Sequence, residues 1–185
     1  MKLQAWILLG GLAVSASPSL SKEKVGEIWD TDRIQRRVEA RNYSFFSFGP
    51  NAMNNMGVDD GGVSVTYGHI WETTPYAAIK LGAEGAFYFG DENASIAAGT
   101  LGANFYLTPT EVSPYVGFDL GYGAAATDVE GIDNVSGWAG GATVGVALFR
   151  TSSVQMHITA RYLQIFTDNK KGQPSQGTLG LGVAF

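Results

Sequence analysis

Few residues in this chain could do chemistry, and they are scattered. There are two histidines, His69 and His157, and no cysteine. Thiolate nucleophiles, Cys-ligated metals, disulfides and a lipidated N-terminal Cys are therefore excluded. His157 and Thr159 stand two apart, which places both on one face of a strand and brings an imidazole near a hydroxyl. They share that face with Arg161, which reads as interior, so no catalytic residue is assigned. Two histidines on different strands do not make a metal site. Carboxylates gather at Asp59-Asp60, at Asp91-Glu92, and at Asp128, Glu130 and Asp133. Oxygen ligands of this kind suit Ca²⁺, but no calcium-loop motif is present and solvated acidic loops account for them. No metal and no cofactor is assigned.

The informative constellation is Lys80, Glu84, Asp119, His157 and Arg161. Period-two alternation puts all five on one face of their segments. Lys80 and Glu84 are four apart, hence ~13 Å apart along a strand, too far to pair with each other. Each needs a partner on another wall; Glu84 and Arg161 stand at similar heights. Charges taken out of water are costly unless paired. This set reads as a polar network that fills and fixes an enclosed interior.

The elements that position these residues follow from the pattern. From Asn42 onward, eight segments of period two run over residues 42–49, 61–72, 75–90, 94–108, 112–127, 134–150, 152–168 and 175–185. Several exceed ten residues, whereas strands of soluble sandwiches usually have about five or six; a strand crossing a bilayer at a tilt needs ~9–11. One face is aliphatic and aromatic, as in Val116, Phe118, Leu120 and Tyr122. The other mixes glycine with polar groups, as in Gly117, Asp119, Gly121 and Gly123. An apolar outside and a polar inside is the pattern of a transmembrane barrel, and inward glycines suit an interior only as wide as the side chains that fill it. In a soluble lipocalin-like barrel the apolar face would point inward instead. Connections after the first, third, fifth and seventh segments are longer and polar. Those around Thr73-Thr74, Pro109-Thr110-Glu111 and Thr151 are tight. Short periplasmic turns and longer external loops alternate in this way. His69, beside Tyr67 and Trp71, then falls in a periplasmic interfacial girdle.

Composition agrees. Charged residues are 16 % of the 185, against roughly a quarter in soluble domains. The net charge of −5 disfavours a nucleic-acid partner, which would need a basic surface. Lys2, the apolar run Ala5 to Val14, the small residues Ser15-Ala16-Ser17 and the cleavage-site match Val14-Ser15-Ala16 read as a secretory signal peptide over residues 1–16, so the mature chain is expected to begin near Ser17. Residues 17–41 read as a periplasmic lead-in; its charge-rich part, with Val25, Ile28, Trp29 and Val38 at loosely helical spacing, is either a short amphipathic helix or disordered. Residues 42–185 are the barrel. The expected fold class is all-β: an eight-stranded antiparallel transmembrane β-barrel with that lead-in.

On these residues the chain resembles the small eight-stranded outer-membrane barrels typified by the OmpA membrane domain and OmpX, with OmpW as a further relative in architecture. The resemblance covers residues 42–185 and includes the last segment, Thr178-Leu179-Gly180-Leu181-Gly182-Val183-Ala184-Phe185. Gly180, Val183 and Phe185 match the terminal signal that the barrel-assembly machinery reads in this class; Leu179 stands where a polar residue is usual. The resemblance implies the bacterial outer membrane as location, with lipids and lipopolysaccharide around a monomer. It implies a non-enzymatic structural or loop-mediated role with a plugged lumen. A narrow channel for small or amphipathic solutes is the alternative, and a lipid-modifying enzyme comes third. Lipid A deacylases of the barrel type use a His and a Ser two apart with a carboxylate, but here the hydroxyl is Thr159 and the pair lies toward the periplasm. Deleting Phe185 is expected to lower the yield of membrane-inserted barrel in cells while refolding into detergent survives. Heat-modifiable mobility on gels reads both, and unchanged cellular yield would remove the assembly-signal reading.

Overall fold

The computed structural model describes residues 39–56, 61–88, 93–131, 134–167 and 173–185. The proposed signal peptide, all but the end of the lead-in, and Asp59-Asp60, Asp91-Glu92 and Asp133 lie outside the described residues. Eight strands follow one another: β1 (Asn42–Asn54), β2 (Gly61–Thr74), β3 (Ala77–Tyr88), β4 (Ala94–Tyr106), β5 (Val112–Thr127), β6 (Val135–Leu148), β7 (Gln155–Phe166) and β8 (Ser175–Ala184). Each pairs antiparallel with the next, and β1 pairs with β8 to close the barrel. No sheet edge is left open, so the ladder pairs the backbone round the wall as a membrane span requires, apart from a gap at Gly49 and Pro50 on the β8 side. Among the described residues there is no helix.

The alternation sets which way each strand faces. Phe118, Leu120 and Tyr122 of β5, Val144 of β6, and Leu179 and Leu181 of β8 are exposed on the outer surface, whereas Asp119, Thr143 and Thr178 between them are buried inside. This is the reverse of a soluble barrel. The apolar face looks out and the charges look in, which rules out the lipocalin-like arrangement.

The strands are staggered as well as paired. A row of register partners that starts at Asn51 in β1 passes through Thr178, Arg161, Thr143, Gly117, Asn104 and Ala78 to Glu72 in β2. The Glu72 amide bonds the carbonyl of Arg41, so the row returns to the first strand ten residues before it left. A stagger of this size around eight strands accompanies a strand tilt of roughly 35–45°. Positions in one row therefore climb the inside of the wall as they go round it.

Some boundaries differ from the sequence expectation. β1 continues through Pro50 to Asn54 rather than ending at Gly49. Ser44 exchanges both backbone bonds with Phe185, so residues 44, 46, 48 and 50 direct their backbone groups toward β8, and the donor that Pro50 lacks belongs to that seam. Pairing with β2 runs on through Pro50 opposite Val63, while Gly49 and Pro50 have no partner in β8. The first turn is Pro75-Tyr76, two residues later than expected, after an irregularity between Glu72 and Thr74. β7 starts at Gln155 rather than Ser152. The connection before it is opened by Phe149 in a left-handed conformation (φ 60°), uncommon for a bulky residue, and it turns Arg150 into the barrel.

Two apolar clusters occupy the ends of the lumen. At the end bearing the β1–β2 connection, Met53, Met56, Tyr88, Ile96, Leu163 and Ile165 pack together. The Thr127 hydroxyl holds the Met56 carbonyl (3.3 Å), and Asn55 Nδ2 donates to the Gln173 carbonyl (2.9 Å). At the other end, where the chain enters β1 and leaves β8, Tyr43, Ile70, Tyr106 and Tyr115 pack with small alanines. The polar groups lie between and beside these clusters.

Candidate functional site

Four of the five interior residues singled out by the sequence meet at mid-lumen. Lys80 on β3 lies 2.9 Å from Asp119 Oδ1 and donates to Oδ2 at 3.1 Å. Arg161 Nη2 on β7 lies 3.2 Å from Glu84 Oε2 and 3.3 Å from Asp119 Oδ2. It is hydrogen-bond aligned with neither carboxylate, so that attraction is coulombic. Gln176 Nε2 of β8 donates to the second oxygen of Glu84 at 2.5 Å. Two cations and two anions thus form one neutral network, with Asp119 bridging the cations and Arg161 bridging the anions. All four side chains are nearly solvent-free. Geometry explains why these strands can host it. Gly102 stands beside Asp119, and a Cβ there would collide with the Asp119 carboxylate. The neighbouring strand gives up its side chain to make room for the ion pair.

His157 lies elsewhere. It is buried toward the other end, 6.2 Å from the ring of Tyr43 and 5.9 Å from that of Tyr115, and belongs to an aromatic layer rather than to the ion network. Thr159 spends its hydroxyl on the Gly180 carbonyl (3.4 Å), not on His157. His69 faces outward, where Ser44 Oγ and His69 Nδ1 are 3.2 Å apart and the Trp71 ring centroid is 4.5 Å away. Among the described residues no group of three or more His, Cys, Asp or Glu side chains could hold a metal ion. Of the terminal residues, Gly180 faces inward against Thr159 and Ser47, while Val183 and Phe185 are exposed outside. The Phe185 backbone exchanges two 2.9 Å bonds with Ser44.

A second ionic centre, at the turn end, was not found by sequence reasoning. Arg150 is fully buried and donates to Glu72 Oε1 at 2.7 Å. Its Nη1 donates to Ser113 Oγ (2.9 Å) and to the carbonyls of Pro75 and Thr108 (3.3 Å each). The guanidinium stacks 3.7 Å from the Tyr106 ring centroid. Tyr43 OH bonds both Glu72 (3.3 Å) and Tyr106 OH (2.9 Å). Glu111 accepts from the Thr151 amide at 3.0 Å and from its hydroxyl. Arg41 donates to the carbonyls of Thr151 and Ser152. One arginine thus gathers all three turns, and the chain entering β1 is tied to the same place. Glu72 could have been found by extending the β2 alternation Ser64, Thr66, Gly68, Ile70 by one more step. Arg150 carries no such signal, because it lies two residues beyond the end of β6, where alternation no longer sets direction.

Removing one member of a buried ion pair leaves the other uncompensated, at about 3–5 kcal/mol when burial is complete. Glu84→Gln is expected to destabilise the refolded barrel, and the loss is expected to shrink when Arg161→Met is added. Urea titrations of the four proteins of this cycle measure the coupling, and additive losses would show that the two residues act independently.

No protein-family model matches the chain, and no curated protein matches it. Solved structures do. Neisserial surface protein A (NspA) superposes with a TM-score of 0.67 at 18 % identity, over 78 % of this chain and 97 % of that one. Ail, the attachment invasion locus protein of Yersinia pestis, matches with a TM-score of 0.55 at 15 % identity, over 80 % and 99 %. The N-terminal β-barrel domain of Pseudomonas aeruginosa OprF matches with 0.51 at 14 %, over 80 % and 100 %. At these identities the likeness is one of fold, and the fold is the small, closed, eight-stranded antiparallel barrel.

Proposed function

We propose that this chain is an integral barrel of the bacterial outer membrane that performs no catalysis and acts as a structural or loop-presenting element with a closed lumen. The observation that carries this reading is the inversion of the barrel. Leu101, Phe118, Leu120, Val144 and Leu179 are exposed on the outer wall, while Lys80, Glu84, Asp119 and Arg161 are paired inside. Exposed apolar side chains all round a barrel wall are incompatible with water at that density. Placed at the bilayer midplane, an outward Lys or Arg would cost ~2–4 kcal/mol. Aromatic side chains add support: Tyr67, Trp71, Tyr76, Phe105 and Phe185 are exposed toward one end, and Phe87, Tyr122, Trp138 and Phe166 toward the other, as in the two girdles of such barrels. With the short turns on the periplasmic side, both ends of the barrel segment lie there and the longer loops face outward.

Three successive barriers support the reading of a closed lumen. Arg150 and Glu72 block the periplasmic end, the four-charge network fills the middle, and Met53, Met56, Tyr88 and Ile96 block the external end. The four-charge network is neutral, and the external barrier is apolar. A hydrated ion crossing the lumen would have to part all three. Fold alone carries no specific activity, and among the described residues His157 packs against the rings of Tyr43 and Tyr115 while Thr159 bonds the Gly180 carbonyl. The reading is tested by adding refolded protein to planar bilayers. Absence of steady single-channel current is expected, both for the unaltered protein and for Glu84→Gln. Open, steady conductance in the unaltered protein would replace this reading with a narrow channel.

A further inference from the structure

The outer wall is not smooth. Where β6, β7 and β8 run side by side, an apolar groove of about 460 Å³ is sunk into it. Six outward residues shape it, in two adjacent register rows: Ala142, Tyr162 and Gly177, then Val144, Ala160 and Leu179. Small and large side chains alternate from strand to strand in both rows, so the small ones form a floor and the large ones its rims. Gly177 is the position that the barrel itself does not explain. A Cβ added there would meet nothing within 4 Å, whereas the next outward positions of β8 carry Leu179, Leu181 and Val183. Gly140 on β6 is different, because the Phe166 ring already overhangs it, 2.9 Å from where its Cβ would stand.

Polar groups stand at one end of the groove only, and they also face outward. Gln164 is the next outward residue after Tyr162 toward the loop end of β7. Its Oε1 accepts from Tyr162 OH (3.4 Å), and its Nε2 donates to Gln173 Oε1. An amide nitrogen carries two hydrogens, and Gln173 takes one. The other is left at the mouth of an apolar groove, on a wall where no water competes for it. This juxtaposition says what fits: a narrow apolar body with a hydrogen-bond acceptor at its head. Lipid tails are as apolar as the wall, so burial alone retains nothing there; close packing and a hydrogen bond do. A groove left unfilled forfeits the dispersion contacts of its lining. A second copy of the chain fits less well, because a two-fold contact centred on this patch sets groove against groove.

We propose that the groove on β6, β7 and β8 holds one acyl chain of a membrane amphiphile, whose ester or amide carbonyl accepts from Gln164 Nε2. The chain lies over Ala142, Ala160 and Gly177, between Tyr162 and the aliphatic rims, and its head stands at the loop end of the barrel. The ligand therefore comes from the leaflet on the loop side. The proposal goes beyond a structural barrel to a fixed lipid site, and it rests on the reading of the wall as membrane-embedded.

The test titrates the refolded protein in nonionic detergent with a diacyl phosphatidylethanolamine, and separately with its ether-linked counterpart, which lacks the carbonyls. Native mass spectrometry counts the lipids each barrel retains. One ester lipid per barrel is expected, held about fivefold more tightly than the ether lipid, as one modest hydrogen bond provides. Gln164→Leu is expected to remove that preference. Gly177→Leu fills the groove from an open position and is expected to abolish retention. Gly99→Leu, at an equally open outward position on β4, is expected to leave it unchanged. Retention by Gly177→Leu equal to that of the unaltered protein would overturn the proposal, and so would equal binding of the two lipids by the unaltered protein. A dimer that Gly177→Leu converts to monomer would also overturn it, by giving the patch to a second copy. Folded protein that stays soluble once detergent is removed would instead defeat the membrane reading itself.

Discussion

Everything in this barrel is arranged around charges that cannot face outward and must be met inside. Lys80, Arg161, Glu84 and Asp119 are drawn from three strands, and no two of them on one strand are close enough to neutralise each other. Pairing them requires the closed sheet. β3, β5 and β7 come within reach only because β1 and β8 join and curl the wall into a tube narrow enough for side chains to meet across it. The glycines belong to the same constraint. At Gly145 an added Cβ would stand 2.8 Å from the Tyr115 ring, so the aromatic layer below the ion network depends on bare backbone opposite it. Bulk is placed where the interior needs it and withheld from the neighbouring strand.

The Arg150 centre solves a different problem with the same chemistry. Turns leave carbonyl groups without ladder partners, and here the carbonyls of Pro75, Thr108, Thr151 and Ser152 converge at one mouth. Arg150 and Arg41 supply donors to them, and Glu72 balances Arg150. A planar guanidinium with five donors suits this task better than a lysine would. The turn end of the barrel is therefore packed by groups of the turns themselves, whereas the opposite end is packed by the apolar cluster of Met53, Met56, Tyr88 and Ile96.

How much of this was legible in the sequence follows from where periodicity acts. Within strands, alternation alone decides inside from outside, and the number of strands, their antiparallel order and the inward direction of Lys80, Glu84, Asp119 and Arg161 can all be read from it. At strand ends it fails. The first segment was expected to end at Gly49, yet the donor that Pro50 lacks matters only on the β8 side, and β1 runs five residues further. Arg150 sits in a turn whose left-handed residue, Phe149, has no local sequence signature. Alternation placed His157 in the lumen with the charges, but it could not tell the aromatic layer from the ionic one, because height depends on the stagger between strands. The stagger is a property of the closed sheet, and so is the row from Asn51 to Asn104. No single strand encodes either.

The central claim is that the wall is apolar outward and ionic inward. Because the chain has no cysteine, single cysteines are unique reporters. Spin labels at Val65, Leu101, Leu120, Val144 and Leu181, one per protein, sample five strands of the outer wall. After reconstitution in liposomes, each is expected to collide more with dissolved oxygen, which concentrates in lipid, than with a water-soluble nickel chelate. Preferential collision with the chelate at these positions would contradict the inverted barrel.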